Sequence, residues 1–375
     1  MTRLRLIFAT FSFLLLMGLV VSCSKDAPSV TPPVVEPVDT TSHDFRWEVT
    51  YLENSDLRDV FAINDTDAWA VGKIILPDST GEPDDANPCG AAHWDGKKWT
   101  VVAVPSVNSS GQFVKRGMQG VFAFGSNDVW MTSYAGSYAH WDGKEWRSTY
   151  IKEGSGALKR IYGFSPKDIY FAGPADIIVH WDGRDFTRME SGFKYPYEVT
   201  DMWGVEDGGE REVWAIARVL DQIRSAILVY RQSTGKWETV WSNEYSVGLA
   251  QPYDCILTSV YPFAKNSYLV AGSVPYKTTY VYECKPGTGA MGKLSVLNLS
   301  PLWPYQLKGS TRNNVFMVGD RMLMAHFNGS TWKLFRELGT NFPSPLRGLS
   351  VLPNSVFAVG YDATRGILVH GQRVN

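Results

Sequence analysis

VFAINDTDAWAVG (residues 60–72), followed after an interruption by HWDGKKW (93–99), is the stretch whose reading decides the fold. A short apolar run meets a polar Asn-Asp-Thr-Asp link, and a second apolar run ends on glycine. Two further short segments then face each other across Asp-Gly. Runs of this length bounded by Asn, Asp and Gly are strands joined by turns. The first half recurs as VFAFGSNDVWMTS (121–133), IYGFSPKDIYFAG (161–173), MWGVEDGGEREVWAIA (202–217), VYPFAKNSYLVAG (260–272), LKGSTRNNVFMVG (307–319) and LSVLPNSVFAVG (349–360), seven copies in all. The second half recurs as HWDGKEW (140–146), HWDGRDF (180–186) and HFNGSTW (326–332), with looser copies YRQSTGKW (230–237) and YECKPGTG (282–289). Successive histidines lie 47 residues apart (His93 to His140) and 40 apart (His140 to His180). A period in the forties carrying four short strands is the size of a propeller blade.

The last copy stops at His370-Gly371, short of a fourth strand, while the first is preceded by Phe45–Tyr51 (FRWEVTY), which matches KKWTVVAV (97–104). The spare N-terminal strand is therefore expected to complete the last blade and remove an open sheet edge. The predicted fold is all-β: a seven-bladed propeller of four-stranded antiparallel blades over residues 45–375, closed by an N-terminal strand. Six or eight blades would require one copy to be false or one to be missed. Asp-Gly and Asn-Gly predict two-residue hairpin turns.

The Asp-Gly-x-x-Trp hairpin and the aromatic-apolar second strand resemble bacterial propellers of the Asp-box type, including the sialidase-like and photosystem-assembly-factor-like groups, over about residues 45–375. The Asp-box has a residue between Asp and Gly, whereas Asp95-Gly96, Asp142-Gly143 and Asp182-Gly183 are adjacent. The Gly-His and Trp-Asp spacing of WD40 repeats is also absent. The resemblance implies the fold and almost no chemistry.

Ahead of the repeats, Arg3 and Arg5 precede an apolar run from Leu6 to Val21 that ends in Val20-Val21-Ser22-Cys23. A positive start, an apolar core of this length and a terminal cysteine read as a signal peptide over residues 1–22. The ending resembles the bacterial lipobox, which implies diacylation of Cys23 and a membrane partner held through lipid. The alternative is a plain signal anchor with an incidental cysteine. Residues 23–44, rich in Pro, Ser and Thr, read as a tether. Ser24-Lys25-Asp26 weakly resembles a surface-export signal. The expected location is the bacterial cell envelope, as an outer-membrane lipoprotein on the periplasmic face or cell surface. Cys89, Cys255 and Cys284 form an odd set, read as inert thiols ahead of a Cys255–Cys284 pair.

The chain has 375 residues, 44% of them apolar and 20% charged, with a formal charge of -2. It can bury a core, and it offers no electrostatic case for nucleic acid. Its 14 tryptophans mostly repeat at framework positions. So do His93, His140, His180, His326 and His370, one per blade and too widely spread around a ring to meet one metal. No metal, cofactor or catalytic residue is assigned, and the chain is expected to act as a monomer.

Binding in propellers uses the funnel where the inner strands begin. The residues there are Arg58-Asp59, Arg116 to Gln119, Lys159-Arg160, Thr200-Asp201, Thr258-Ser259, Tyr305-Gln306 and Arg347. Charge in that position is uncharacteristic of strands bound for a core. It reads either as a hydrated, internally paired channel or as a ligand site with a cationic bias. The candidate set is Arg58, Asp59, Arg116, Gln119, Lys159, Arg160, Asp201, Tyr305 and Arg347. The insertion 73–92, with Asp78, Glu82, Asp84 and Asp85, lacks the spacing of a calcium loop and reads as a surface loop. Long loops on rigid scaffolds are where partners are contacted. The leading expectation is a non-enzymatic envelope lipoprotein that binds an envelope protein or a glycan through the funnel or loops. The alternative is a sialidase-like glycan-cleaving enzyme, for which no Tyr–Glu pair can be picked.

Overall fold

The computed structural model describes residues 40–374 except 155, 220–223, 244–254, 275–277, 285–290, 298–301 and 340–343. Cys23, the expected signal peptide and most of the expected tether lie outside the described residues. Seven four-stranded antiparallel sheets follow one another along the chain, each beginning at the axis and ending at the periphery. Blade 1 runs Ser55–Asn64, Asp67–Ile74, Cys89–Trp94, Trp99–Val102, and blades 2 to 6 repeat this order from inner strands Met118–Gly125, Arg160–Ser165, Glu198–Asp207, Ile256–Ala264 and Pro304–Thr311. Blade 7 has Leu346–Val351, Ser355–Tyr361 and Arg365–Arg373, and its outer strand is the N-terminal Phe45–Glu53. The expected closure is present, with Trp47 opposite Gly371 and Glu48 opposite His370.

Burial is continuous along middle strands such as Asn314–Gly319 and Leu323–Phe327, because every blade is covered by a neighbour on both faces, and only outer strands such as Phe45–Glu53 alternate with exposed positions. The apolar side chains gather into seven clusters, one at each blade interface. The framework histidines hold blades internally. His93, His140 and His180 sit 2.8–2.9 Å from the aspartate opening their own second strand, Asp67, Asp128 and Asp168. His326 meets Asn314 instead, at 3.0 Å. His370 has Ser355 at that position, and its Nε2 is buried without a partner.

The turns differ from expectation. Trp94 pairs with Trp99, so the loop has four residues, not two. Asp95 Oδ1 accepts from the amides of Lys97 and Lys98, each at 2.9 Å, and Gly96 alone carries the positive φ, 87°. The aspartate works as an Asx cap rather than as a left-handed turn residue.

Residues 41–44 dock on the blade 6 turns. Thr41 N donates to Asn328 O at 3.3 Å, and the Nδ1 atoms of His43 and His326 lie 2.8 Å apart. The inner strands run away from the funnel, and Phe45–Glu53 runs back toward it. The N-terminal end of the ring therefore lies on the face opposite the funnel. Cys89, Cys255 and Cys284 carry no disulfide. No helix among the described residues is long and apolar enough to cross a membrane.

Candidate functional site

The funnel is built by one irregularity repeated around the ring. In six blades the pairing of inner and second strands slips by one residue at the axial end. The extra residues are Arg58, Gln119, Thr200, Thr258, Tyr305 and Arg347; in blade 3 Lys159 sits just before the strand. A bulge leaves its extra residue out of the ladder and re-aims the side chain. All seven of these residues line one cavity of about 180 Å³.

The glycine ending the second strand makes room for this. A Cβ on Gly72, Gly173, Gly319 or Gly360 would stand 1.9–2.3 Å from the carbonyl oxygen two residues ahead of the rim residue. Gly272 has the same neighbour at 2.9 Å. In five of the seven repeats the terminal glycine is thus a packing condition of the funnel wall; Ser133 and Ala217 stand there in blades 2 and 4.

Arg58, Gln119, Lys159, Arg160, Tyr305 and Arg347 from the sequence set reach the cavity, joined by Thr200 and Thr258. Tyr134, Glu198, Val199, Arg218 and Trp303 complete the lining. These come from strand ends and connecting loops, whose position depends on ring closure and carries no local sequence signal. Arg116 is exposed outside the lining. Asp59 and Asp201 lie one step deeper than the rim and do not line the cavity.

The floor is closed. Phe61, Phe122, Tyr162 and Trp203, one from each of blades 1–4, pack across the axis with ring centroids 4.7–6.3 Å apart. Beside them Lys308 Nζ of blade 6 donates to both oxygens of Asp201 in blade 4, at 2.9 and 2.8 Å. Ser259 of blade 5 also donates to Asp201, as does Val260 N at 3.1 Å. Burial pushes the Lys308 ammonium below the usual lysine range, and Asp201 opposes that shift. Burial likewise raises the Asp59 carboxyl to about 6, against the pull of Arg160 and the amides of Val60 and Val121.

Five cations line the funnel (Arg58, Lys159, Arg160, Arg218, Arg347) against the single carboxylate of Glu198. Lys159 donates to Glu198 at 2.6 Å, and Arg160 donates to Thr200 O at 2.7 Å. Arg58 pairs with Asp56 at the edge. The Arg347 guanidinium lies over the Tyr305 ring, 4.0 Å from its centroid, and 5.7 Å from that of Tyr361. Its Nη2 donates to Tyr361 Oη at 3.2 Å, while its buried Nε has no partner. Arg218 is half-buried with no hydrogen bond or ion pair among the described residues. A guanidinium placed over one ring and hydrogen-bonded to another tyrosine keeps further donors for a planar anion. Cleavage of glycosides by paired carboxylates needs a second acid facing the first; among the lining residues Glu198 stands alone, tied to Lys159.

In the 73–92 insertion three of the four carboxylates are engaged locally. Asp78 caps its own turn through Thr80 and Glu82, Asp84 accepts from Asn87, and Asp85 pairs with Lys73 at 2.7 Å. A second feature of the same face was not anticipated. The link between blades 1 and 2 forms a hairpin, Ser106–Val107 with Phe113–Val114. Its only sequence signal is the turn-forming Asn108-Ser109-Ser110-Gly111.

No family model and no curated relative matches the sequence. Among solved structures the fold is similar to that of YCF48 bound to D1 peptide, at 15% identity and TM-score 0.63, over 90% of this chain and 100% of that one. It is similar to YCF48 from Cyanidioschyzon merolae at 11% identity and TM-score 0.57, over 86% and 98%. The WD40 β-propeller domain of Doa1 follows at 10% identity and TM-score 0.57, over 87% and 97%. At these identities the likeness is one of fold.

Proposed function

We propose that this chain is a non-catalytic binding protein that takes an anionic segment of a protein partner in its axial funnel, and that lipidated Cys23 holds it in the bacterial cell envelope as an outer-membrane lipoprotein. The observation that carries the reading is the convergence of five cations on a cavity holding one carboxylate. Such a cavity attracts anions and favours planar ones at Arg347. The aromatic floor stops a ligand from threading the ring, so what enters is the end or a bend of a chain. A propeller of the same fold has been solved with a peptide bound, which supports a polypeptide ligand.

The test is fluorescence anisotropy with a labelled peptide of four Glu-Ser-Gly repeats. Binding should weaken at least tenfold in Arg218→Ala and again in 0.5 M salt. No binding by the wild type, or equal binding by the variant, refutes the reading. For the anchor, Cys23→Ser should move the protein from the membrane to the soluble fraction, and retention in the membrane refutes lipidation.

A further inference from the structure

On the funnel face, the hairpin between blades 1 and 2 holds Phe113 with 80% of its surface exposed, the most exposed large apolar side chain among the described residues. Mobile loop tips carry such residues at little consequence, but this hairpin is built to hold still. Ser106 Oγ is 3.1 Å from Ser133 Oγ and from Ser137 Oγ, all three buried, and Val107 N donates to Ser137 Oγ. Asn108 Oδ1 caps the tip, accepting from the amides of Ser110 and Gln112 at 3.0 Å. Lys115 ties the hairpin to Asn87 of the insertion loop. The residue after Ser133 is Tyr134, itself 43% exposed and part of the funnel lining. One serine cluster thus fixes both an aromatic funnel wall and an aromatic-tipped post on the same blade.

We infer that the funnel and this hairpin form one docking surface, and that its occupant is an acidic polypeptide segment carrying apolar side chains, its carboxylates in the funnel and an apolar side chain against Phe113. This rests on the anionic reading above and narrows it. The charge of the funnel selects the acidic part. A phenyl ring with no polar tip, carried on the same face by a hydrogen-bonded hairpin, is the kind of aromatic anchor that concentrates binding energy at protein interfaces. The hydrogen bonds of the hairpin lower the backbone ordering cost of using it. A polysaccharide of equal charge satisfies the funnel but gives a bare phenyl ring less apolar surface to cover.

Three labelled probes of equal charge separate the outcomes: four repeats of Glu-Leu-Gly, four repeats of Glu-Ser-Gly, and a four-residue oligogalacturonate. The leucine peptide should bind at least tenfold more tightly than the serine peptide, and both more tightly than the uronate. Phe113→Ser, at an exposed site, should abolish the leucine advantage and leave the serine peptide unchanged. Equal binding of the two peptides, or a leucine advantage that survives Phe113→Ser, overturns this inference while leaving the anionic funnel standing. Tightest binding of the uronate overturns it in favour of a glycan. Loss of all binding overturns both readings.

Discussion

Acid should loosen the N-terminal docking of the ring through one buried histidine. His326 is fully buried; its Nε2 meets Asn314 Oδ1 at 3.0 Å, so that nitrogen carries the proton and Nδ1 accepts from His43 Nδ1 at 2.8 Å. His43 Nε2 then accepts from Thr331 Oγ1 at 3.0 Å, completing a one-way relay. A second proton on His326 breaks the histidine pair. Burial, then His43, Arg373 and Lys333, lowers its pKa from 6.5 to about 3. The unfolded chain binds the proton near pH 6.5 and the native chain does not, so stability falls as pH drops below 6.5 toward 3. At pH 5 the gap of about 1.5 pH units below the unfolded value corresponds to a loss of about 2 kcal/mol. Asp59, raised to about 6, titrates in the opposite sense over much of that range, so the wild-type curve alone is not diagnostic. The measurement is the stability gap between wild type and His326→Gln, from urea midpoints at pH 7.5, 6 and 5. The variant should be less stable at pH 7.5, and the gap should narrow by about 2 kcal/mol at pH 5. A gap constant with pH would sink the relay.

Gly360→Ala places a methyl 1.9 Å from Pro345 O, at the base of the Arg347 bulge. It should cost roughly 2–4 kcal/mol in thermal or urea denaturation and weaken Glu-peptide binding, whereas Gly125→Ala, with open space around it and no left-handed backbone, should leave both intact. Asp201→Ala strands the buried Lys308 ammonium and should cost about 3–5 kcal/mol by urea unfolding, and Asp201→Ala with Lys308→Met should recover a large part of it. A double variant no more stable than the single one would contradict the axial ion pair. Removing residues 1–53 should expose the edge of Arg365–Arg373 and cause self-association visible by light scattering. A monodisperse, equally stable truncation would show that the closing strand is dispensable.

The ring was legible because its repeats are physical necessities stated seven times over. A small residue at the end of each second strand (glycine in five, Ser133 and Ala217 in the others), a polar link before it and aromatic pairs across Asp-Gly each leave a mark at a fixed spacing. The rim residues were legible for a related reason: a charge in Arg58, Lys159 or Arg347 interrupts a strand otherwise bound for the core. Arg116 shows the limit: three residues ahead of the rim residue Gln119, it lies on a link, exposed and outside the lining. Arg218, Glu198 and Trp303 enter the lining from parts of the chain set by the closure of the whole ring, which no local pattern encodes. The Asp-Gly loops were misjudged because the dipeptide alone does not reveal that the aspartate spends its side chain capping two amides. Phe113 went unmarked because one aromatic among many has no period to betray it.

The N-terminal strand meets Arg365–Arg373 along nine residue pairs, with its first residue on the face opposite the funnel. A pull between an object gripped in the funnel and the chain ahead of Phe45 therefore runs parallel to that strand. The interstrand hydrogen bonds lie across this direction, so they are strained together as a lap joint and are not peeled one after another. The closure that hides a sheet edge at rest is thus also the joint through which the molecule would carry tension.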